Sequence, residues 1–509
     1  MIETSTLWDV VEARAAESPR ARMSVDETGR SISFDEFRER AQRTAAGLVN
    51  LGVEPGDRVS WQLPTWIETT VLLAALSRIG AVQNPILPLY RHKELGFVIH
   101  QTRAKLLIVP TEWRGVDFRS MAEGIVTDTA TRVLTCDKSL PDGDPSELPA
   151  PPSNGDEVRW LYYTSGTTAD PKGAKHTDLS IKAASVGMAE RLRIDPSDRG
   201  ALAFPFTHIA GAIWLDASLR TGCSNILIEA FHPRGTVDVL RREDVTLGGS
   251  GTVFHRAYLN AQREQPDEPL FPSVRAYPGG GAPKPPQLHY DLKKEMGGVG
   301  IVAGYGLTEC PIISMASVDD PDDKLAETEG SATPGVDISV VDLDGNVVGP
   351  GQEGELRVVG PQLFKGYLDP SLDADAFDQA GYFRTGDLGY VDDSGYVVVT
   401  GRLKDVIIRK GENISAKELE DLLYDHPKVG DVAVIGLPDP EAGERACAVV
   451  QTAEGQDDIT LPEVVEYLES HALMKQKLPE RLEIGEIPRN PVGKILKHEL
   501  RDRYASRRP

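Results

Sequence analysis

Residues 162–176 read Tyr162-Tyr163-Thr164-Ser165-Gly166-Thr167-Thr168-Ala169-Asp170-Pro171-Lys172-Gly173-Ala174-Lys175-His176. An apolar run leads into a loop of hydroxyls and glycine that closes on a lysine, a composition suited to holding phosphate. Small residues let backbone N–H groups turn toward an anion, the hydroxyls of Thr164, Ser165, Thr167 and Thr168 add donors, and Lys172 brings a point charge that can follow a moving phosphoryl group. This is not the Walker pattern, because no Gly-Lys-Ser/Thr closes it and Pro171 stands where that motif would open a helix. Taken alone the stretch also reads as a surface turn, so its meaning depends on the chain around it.

Upstream, Ser33-x-x-Glu36 is a capping box leading a helix with Phe34, Phe37, Ala41, Ala45 and Leu48 on one face, and Gly52 stands at a C′ position. Asp57–Leu63 reads as a strand, Thr65–Arg78 as a helix, and Ala81–Pro85 and Ala104–Val109 as further strands. Strand-then-helix units recur at Ala201–Phe204, Asn225–Ile228, Val274–Tyr277 and Gly300–Ala303, which predicts α/β architecture with mainly parallel sheets buried on both faces. Asp137–Glu157 is a solvated connector. Beyond Pro334, turns such as Asp344-Gly345 and Ser394-Gly395 predict a smaller β-rich subdomain. A last unit mixes strands at Val432–Ile435 and Ala446–Gln451 with helices near Ala416–Tyr424 and Leu461–His471. The expected division is a large N-terminal domain, 1–401, and a small α+β C-terminal domain, 402–509.

With 509 residues, 40% of them hydrophobic, the chain can bury large cores and its length favours more than one domain. No run of about eighteen uninterrupted apolar residues exists, and Met1–Thr6 lacks the basic and apolar regions of a signal peptide, so the expected location is the cytoplasm, without integral membrane association. Cys136, Cys223, Cys310 and Cys447 lie far apart without metal-ligand or CxxC spacing, and are expected to be reduced, mostly buried thiols. A net charge of −23 argues against general binding to nucleic acid or anionic lipid. Phosphate ligands would then need a few cations gathered locally within a repelling field.

Such cations and their partners appear in five further segments. Gly304-Tyr305-Gly306-Leu307-Thr308-Glu309 follows an apolar strand and so falls at a strand's carboxyl end, where open α/β sheets bind ligands. Tyr305 can stack on a flat base, and Glu309 is a hard oxygen ligand suited to Mg²⁺. Pro278-Gly279-Gly280-Gly281-Ala282-Pro283 is a second glycine-rich strand end that would admit a planar ring or an acyl group. Asp387, in Phe383–Asp387, could accept both hydroxyls of a ribose, while Arg402 and Lys404 add two cations at the domain boundary. Asn490-Pro491-Val492-Gly493-Lys494 presents a lysine on a Pro/Gly turn, a charge able to stabilise a transferring or leaving phosphoryl group. Each of these alone reads equally as an ordinary turn.

Together, in their order and spacing along the chain, these motifs resemble the adenylate-forming superfamily of acyl-CoA synthetases, firefly luciferase and nonribosomal peptide adenylation domains, over nearly the whole chain. The resemblance implies that Thr164–Gly173 is the phosphate loop, that Gly279–Pro283 and Gly304–Glu309 wall the adenine and acyl-adenylate, and that Glu309 holds magnesium. It implies ribose contacts from Asp387 and Arg402, a hinge at Lys404 between a large domain and a small mobile one, and Lys494 as the lysine needed for adenylation. Lys410-Gly411 corresponds to the pair that enters the site after the small domain rotates and helps form the tunnel for coenzyme A. The acyl pocket corresponds to Phe206–Gly211 with His208, Ala210 and Gly211, to Trp214 and Leu215, and to Phe254, Gly279, Gly304 and Pro311. Ala169 stands where that loop usually has glycine, and Ala230 where acyl-CoA ligases often carry a basic residue near the coenzyme's nucleotide.

The implied reaction is an ATP-dependent acyl-CoA synthesis through acyl-AMP, with Lys494, Lys172, Thr164, Glu309 and His208 as catalytic candidates and ATP, Mg²⁺ and coenzyme A required. The apolar pocket suits a medium-chain, alicyclic or polycyclic acid, and no acid in Phe206–Gly211 would pair an α-ammonium group. Left open are an acyl-AMP ligase that loads a carrier protein, a non-catalytic nucleotide-binding relative, a luciferase-like oxygenase, and a homodimeric state.

Overall fold

Ser33 and Glu36 form the expected reciprocal cap: the Ser33 hydroxyl accepts the Glu36 N–H at 3.3 Å, and the Glu36 carboxylate accepts the Ser33 N–H at 2.8 Å. The helix Phe34–Asn50 follows, with Phe37, Ala41, Ala45 and Leu48 fully buried against the helix Ile67–Ile79. Ile67–Ile79 is buried on every side, as a helix between two sheets must be. The computed structural model describes residues 1–164, 171–249, 251–282, 284–409, 412–439, 442–471, 473–490 and 493–505.

Successive strand–helix units build a six-stranded sheet in the order Lys172–Thr177, Val158–Thr164, Val82–Pro85, Arg58–Trp61, Leu106–Val109, Arg132–Thr135. All neighbours are parallel except the first two, which form an antiparallel hairpin with Lys172 opposite Thr164. The phosphate-loop segment is thus the connection of a hairpin at a sheet edge, not a strand-to-helix turn. In a second sheet Arg199–Leu202, Ser224–Leu227 and Arg22–Asp26 are parallel, and Ser31–Ser33 closes one edge antiparallel. Leu247 bridges Gly200 on one side and Ala276 on the other, both parallel, which carries that layer on to Tyr277–Gly280 and Ile301–Tyr305. The expected mainly parallel architecture is present. The strands lie one to three residues from the expected positions, most visibly Tyr277–Gly280 in place of Val274–Tyr277, because the glycines themselves take part in pairing and apolarity marks only the start of the strand.

Residues 337–402 form the β-rich part, four antiparallel strands in chain order. The rest of the chain makes a separate five-stranded sheet around Val429–Asp439 and Gly443–Thr452. Its side chains alternate between two cores: Val432 and Val434 join the helices Ala416–Tyr424 and Leu461–Ser470, while Ala433 and Ile435 meet Leu500 and Tyr504 of Lys497–Ala505. The four cysteines are buried and unpaired. No described helix is long and apolar enough to cross a membrane.

Candidate active site

Residues 165–170 lie outside the described residues, and with them Ser165, Gly166, Thr167, Thr168 and Ala169; the two ends of the loop are held opposite each other by the Thr164–Lys172 pairing. The outer edge of this hairpin is taken up by residues 365–368, through Lys175 N–H to Gly366 O at 3.1 Å and Leu368 N–H to Gly173 O at 2.7 Å. That pairing brings Tyr367 beside the loop. The Lys172 ammonium sits 5.3 Å from the Tyr367 ring centroid, and the Tyr367 hydroxyl donates to Glu309 Oε1 at 2.8 Å. Glu309 is buried, and burial raises its pKa against the pull of the Tyr367 hydrogen bond and the Lys172 and Arg402 charges. A second buried group fixes the same loop: His176, driven down to about 4 by burial and hence neutral, donates through Nε2 to the Thr308 carbonyl at 2.7 Å.

The turn that presents Glu309 is tight and strained. A side chain at Gly306 would begin 2.5 Å from the Ile312 backbone nitrogen, so glycine is required where the chain doubles back. Ile312 itself has φ +53°, a rare conformation for a β-branched residue, and its carbonyl is held by the Thr333 hydroxyl at 2.6 Å and the Gln362 amide at 3.0 Å.

Asp387 and Arg402 face each other across antiparallel strands, and Arg402 Nε lies 2.7 Å from Asp387 Oδ1. The Tyr305 hydroxyl donates to the other oxygen, Oδ2, at 2.9 Å. Lys494, from the far end of the chain, enters this cluster. Its pKa is pushed down to about 8, first by burial and then by Arg402 and Lys404, with Asp387 and Asp405 opposing. Its turn is closed by Asn490, whose Oδ1 accepts the Lys494 N–H at 2.8 Å and whose N–H donates to the Lys494 carbonyl at 2.9 Å. Gly493 there has φ +83°.

His208 is the N-cap of the helix Ile209–Thr221: Nδ1 accepts the Ala210 N–H at 3.2 Å, which leaves Nε2 as the protonated nitrogen. Burial pushes its pKa down to about 4. His208 lines a small cleft with Tyr162, Thr207, Ile209 and Thr308, and with Tyr90. Among the described residues the Tyr90 hydroxyl and Thr207 Oγ1 are buried there without a hydrogen-bond partner. A second small cleft lies over Gly279, Gly280 and Gly304.

The glycines differ in what they make room for. A side chain at Gly279 would begin 2.9 Å from the His255 ring and one at Gly280 2.7 Å from the Gly304 carbonyl, whereas Gly281 faces open space. Gly211 does not widen a pocket: its missing side chain would begin 2.1 Å from the Phe206 carbonyl, so it serves the turn into the helix. Leu215 belongs to the main core, as does Phe254, whose ring meets Phe231 edge-on at 4.8 Å; Trp214 packs over Gly200. Ala210 is half-buried and Pro311 buried. Lys410, Gly411 and Pro283 lie outside the described residues.

Sequence reasoning did not single out Tyr367, His176, Lys284 or Glu329. Lys284 is buried in the second cleft with its ammonium on the carbonyls of Ala326 at 2.6 Å and Thr328 at 3.1 Å, and Glu329 accepts the Val399 N–H at 3.0 Å. Lys284 adjoins the quoted glycine stretch and His176 ends the quoted phosphate-loop stretch, so both stood next to a visible signal; Tyr367 and Glu329 are placed by pairing between distant segments.

The hairpin ends Thr164 and Lys172, the buried Glu309 beside them, and the Tyr305–Asp387–Arg402 cluster with Lys494 near it bring candidate residues from both parts of the chain together. The AMP-binding enzyme family matches residues 11–368, and the AMP-binding enzyme C-terminal domain matches residues 418–494. The chain belongs to this adenylate-forming family and is an enzyme of the AMP-forming acid–thiol ligase type. It is 33% identical to the medium-chain fatty-acid–CoA ligase of Escherichia coli (strain K12), over 98% of this chain and 90% of that one. It is also 33% identical to the long-chain fatty-acid–CoA ligase FadD13 of Mycobacterium tuberculosis, over 98% and 99%. Among solved structures, ATP-bound MatB from Rhodopseudomonas palustris superposes with a TM-score of 0.90 at 28% identity, covering 99% of each chain, and the apo form of the same protein with 0.77.

Proposed function

We propose that the protein condenses a hydrophobic carboxylic acid with ATP to acyl-AMP and pyrophosphate, and then transfers the acyl group to the thiol of coenzyme A. The observation that carries this reading is the half-buried Lys494 within electrostatic reach of Asp387, Arg402 and Lys404, which adds a positive charge to a site that also holds Lys172 at the end of the 164–172 hairpin.

In the first step a carboxylate oxygen bonds to the α-phosphorus and the bond to the bridging oxygen of pyrophosphate breaks. No side chain acts as nucleophile. Lys172 and Lys494 offset the charge that grows on the phosphate oxygens, and the donors of Thr164–Thr168 hold them. Asp387 keeps lone pairs beyond those used by Tyr305 and Arg402, enough to accept ribose hydroxyls. Glu309 fits magnesium: it is a buried carboxylate whose pKa burial raises, a cost that a bound cation would offset. Among the described residues no group of three or more His, Cys, Asp or Glu could hold a metal, so Glu309 would be the carboxylate to hold Mg²⁺. Bound there, Mg²⁺ would neutralise phosphate charge.

In the second step the coenzyme thiolate attacks the acyl carbon and AMP leaves. We assign Lys404 as the pivot between 1–401 and 402–509, with Lys494 withdrawn and Lys410-Gly411 brought in. The higher similarity to ATP-bound than to apo MatB supports reading the present arrangement as that of the first step. The apolar wall of Ile86, Leu87 and Ile209 near His208 supports a medium-chain, alicyclic or polycyclic acid.

The test is acid-dependent AMP formation with and without coenzyme A, over alkanoates, benzoates, cyclohexanecarboxylate and polycyclic acids, with Lys494→Ala alongside. Coenzyme-dependent turnover on bulky acids, lost in the variant, is expected. Slow AMP release indifferent to coenzyme A would instead indicate a carrier protein as acceptor, and silence in pyrophosphate exchange would overturn the reading.

A further inference from the structure

Lys494 reaches the site on a turn that is itself anchored. Arg489 donates through Nη1 to the Gly493 carbonyl at 2.6 Å, and through Nε and Nη2 to the two oxygens of Asp431 at 2.9 and 2.8 Å. Its Nη2 also donates to the Tyr424 hydroxyl at 2.9 Å, and that hydroxyl donates to Asp431 Oδ1 at 2.5 Å. Tyr424, Asp431, Arg489 and the Gly493 turn are therefore one rigid group within the C-terminal sheet unit.

That group meets the helix Thr252–Glu264 of the large part of the chain. Arg256, on the helix Thr252–Glu264, stacks its guanidinium 4.4 Å from the Tyr424 ring centroid and donates Nη1 to the Gly430 carbonyl at 2.9 Å. One turn earlier Val253 closes on the Lys494 turn, with Cγ2 3.1 Å from where a Gly493 side chain would begin. A planar guanidinium can stack and donate in its own plane at once, which a lysine cannot do.

We propose that Arg256 is a positioning residue for the adenylation half-reaction: it docks Tyr424 and Gly430 on this helix and, through Tyr424, Asp431 and Arg489, sets the Lys494 turn in the site. The inference rests on the two-step reading above. Because the contact exists with Lys494 in place, it favours the first step and leaves the second without its support.

The experiment measures both half-reactions separately in the full-length chain: acid-dependent ATP–pyrophosphate exchange, and thioester formation from pre-formed acyl-AMP and coenzyme A. Arg256→Ala is expected to slow exchange about tenfold with thioester formation kept within about twofold, and Arg256→Lys to recover part of the loss. Tyr424→Phe, which keeps the ring under the guanidinium but breaks its link to Asp431, is expected to slow exchange as well. Equal loss in both half-reactions would show a general structural effect, and an unchanged exchange rate would show no role; either overturns the proposal. Amide hydrogen exchange over residues 489–494 needs no substrate: faster exchange in Arg256→Ala supports the coupling and unchanged exchange overturns it. If wild type adenylates no acid, the ligase reading fails, and this readout still decides for Arg256.

Discussion

Lys494 carries the sharpest expectation at the scale of single residues. With its pKa near 8 in the free protein, it is charged below that pH and loses its proton as pH rises. If the charge is what adenylation needs, kcat/KM for pyrophosphate exchange falls above about pH 8, whereas kcat at saturating ATP holds to higher pH, since bound phosphates retain the proton. Lys494→Ala is expected to lower exchange by about 10²–10³-fold and to spare thioester formation from acyl-AMP. Tyr305→Phe removes one of the two donors that orient Asp387 and should raise KM for ATP severalfold with a smaller effect on kcat. His255 offers a test of stability. It is buried, neutral, and pushed down to about 4, so the unfolded chain binds a proton that the folded one refuses between pH 6.5 and 4. Wild type should therefore lose about 2 kcal/mol relative to His255→Gln on going from pH 7 to pH 5, read from denaturant midpoints.

Elements in this fold do two jobs at once. His208 caps the helix Ile209–Thr221 through Nδ1 and presents Nε2–H to the cleft. The two roles separate by substitution: His208→Asn keeps an N-cap acceptor and should leave the thermal midpoint nearly unchanged while lowering turnover, and His208→Ala should cost about 1 kcal/mol of stability in addition. The hairpin Val158–Thr164 and Lys172–Thr177 likewise holds the phosphate loop at both ends while its outer edge recruits Tyr367. The strand residues Val158–Thr164 were legible from their apolarity. The recruitment was not, because nothing in the pattern of residues 365–368 specifies which edge they pair with.

For the molecule as a whole, the separate cores on the two sides of residue 403 predict two thermal transitions by calorimetry. A fragment of residues 1–403 should keep the transition of the large part, retain nucleotide binding through Asp387 and Arg402, and lack adenylation because Lys494 is gone. A single transition lost in the fragment would show that the parts do not fold independently. The arrangement also suits a chain of net charge −23 to binding polyphosphate: Arg402 and Lys404 from one segment and Lys494 from another gather locally, and the opposing carboxylates Asp387 and Asp405 keep the cluster stable without ligand.

The sequence by itself determined the chemistry on offer and the local geometry that displays it. Glycine, hydroxyl and lysine at 164–173, the capping box at Ser33 and the alternation of strand and helix act over a few residues, where steric and hydrogen-bonding rules are strong. It could not say that Gly211 serves a turn and not a pocket, that Tyr367 holds Glu309, or that Arg256 supports the turn of Lys494. Those are contacts between segments tens to hundreds of residues apart. Only the packing of the sheets and the seating of the C-terminal unit against them bring such groups within hydrogen-bonding distance, and burial in that assembly, not residue type, sets the proton affinities of Glu309, His208 and Lys494.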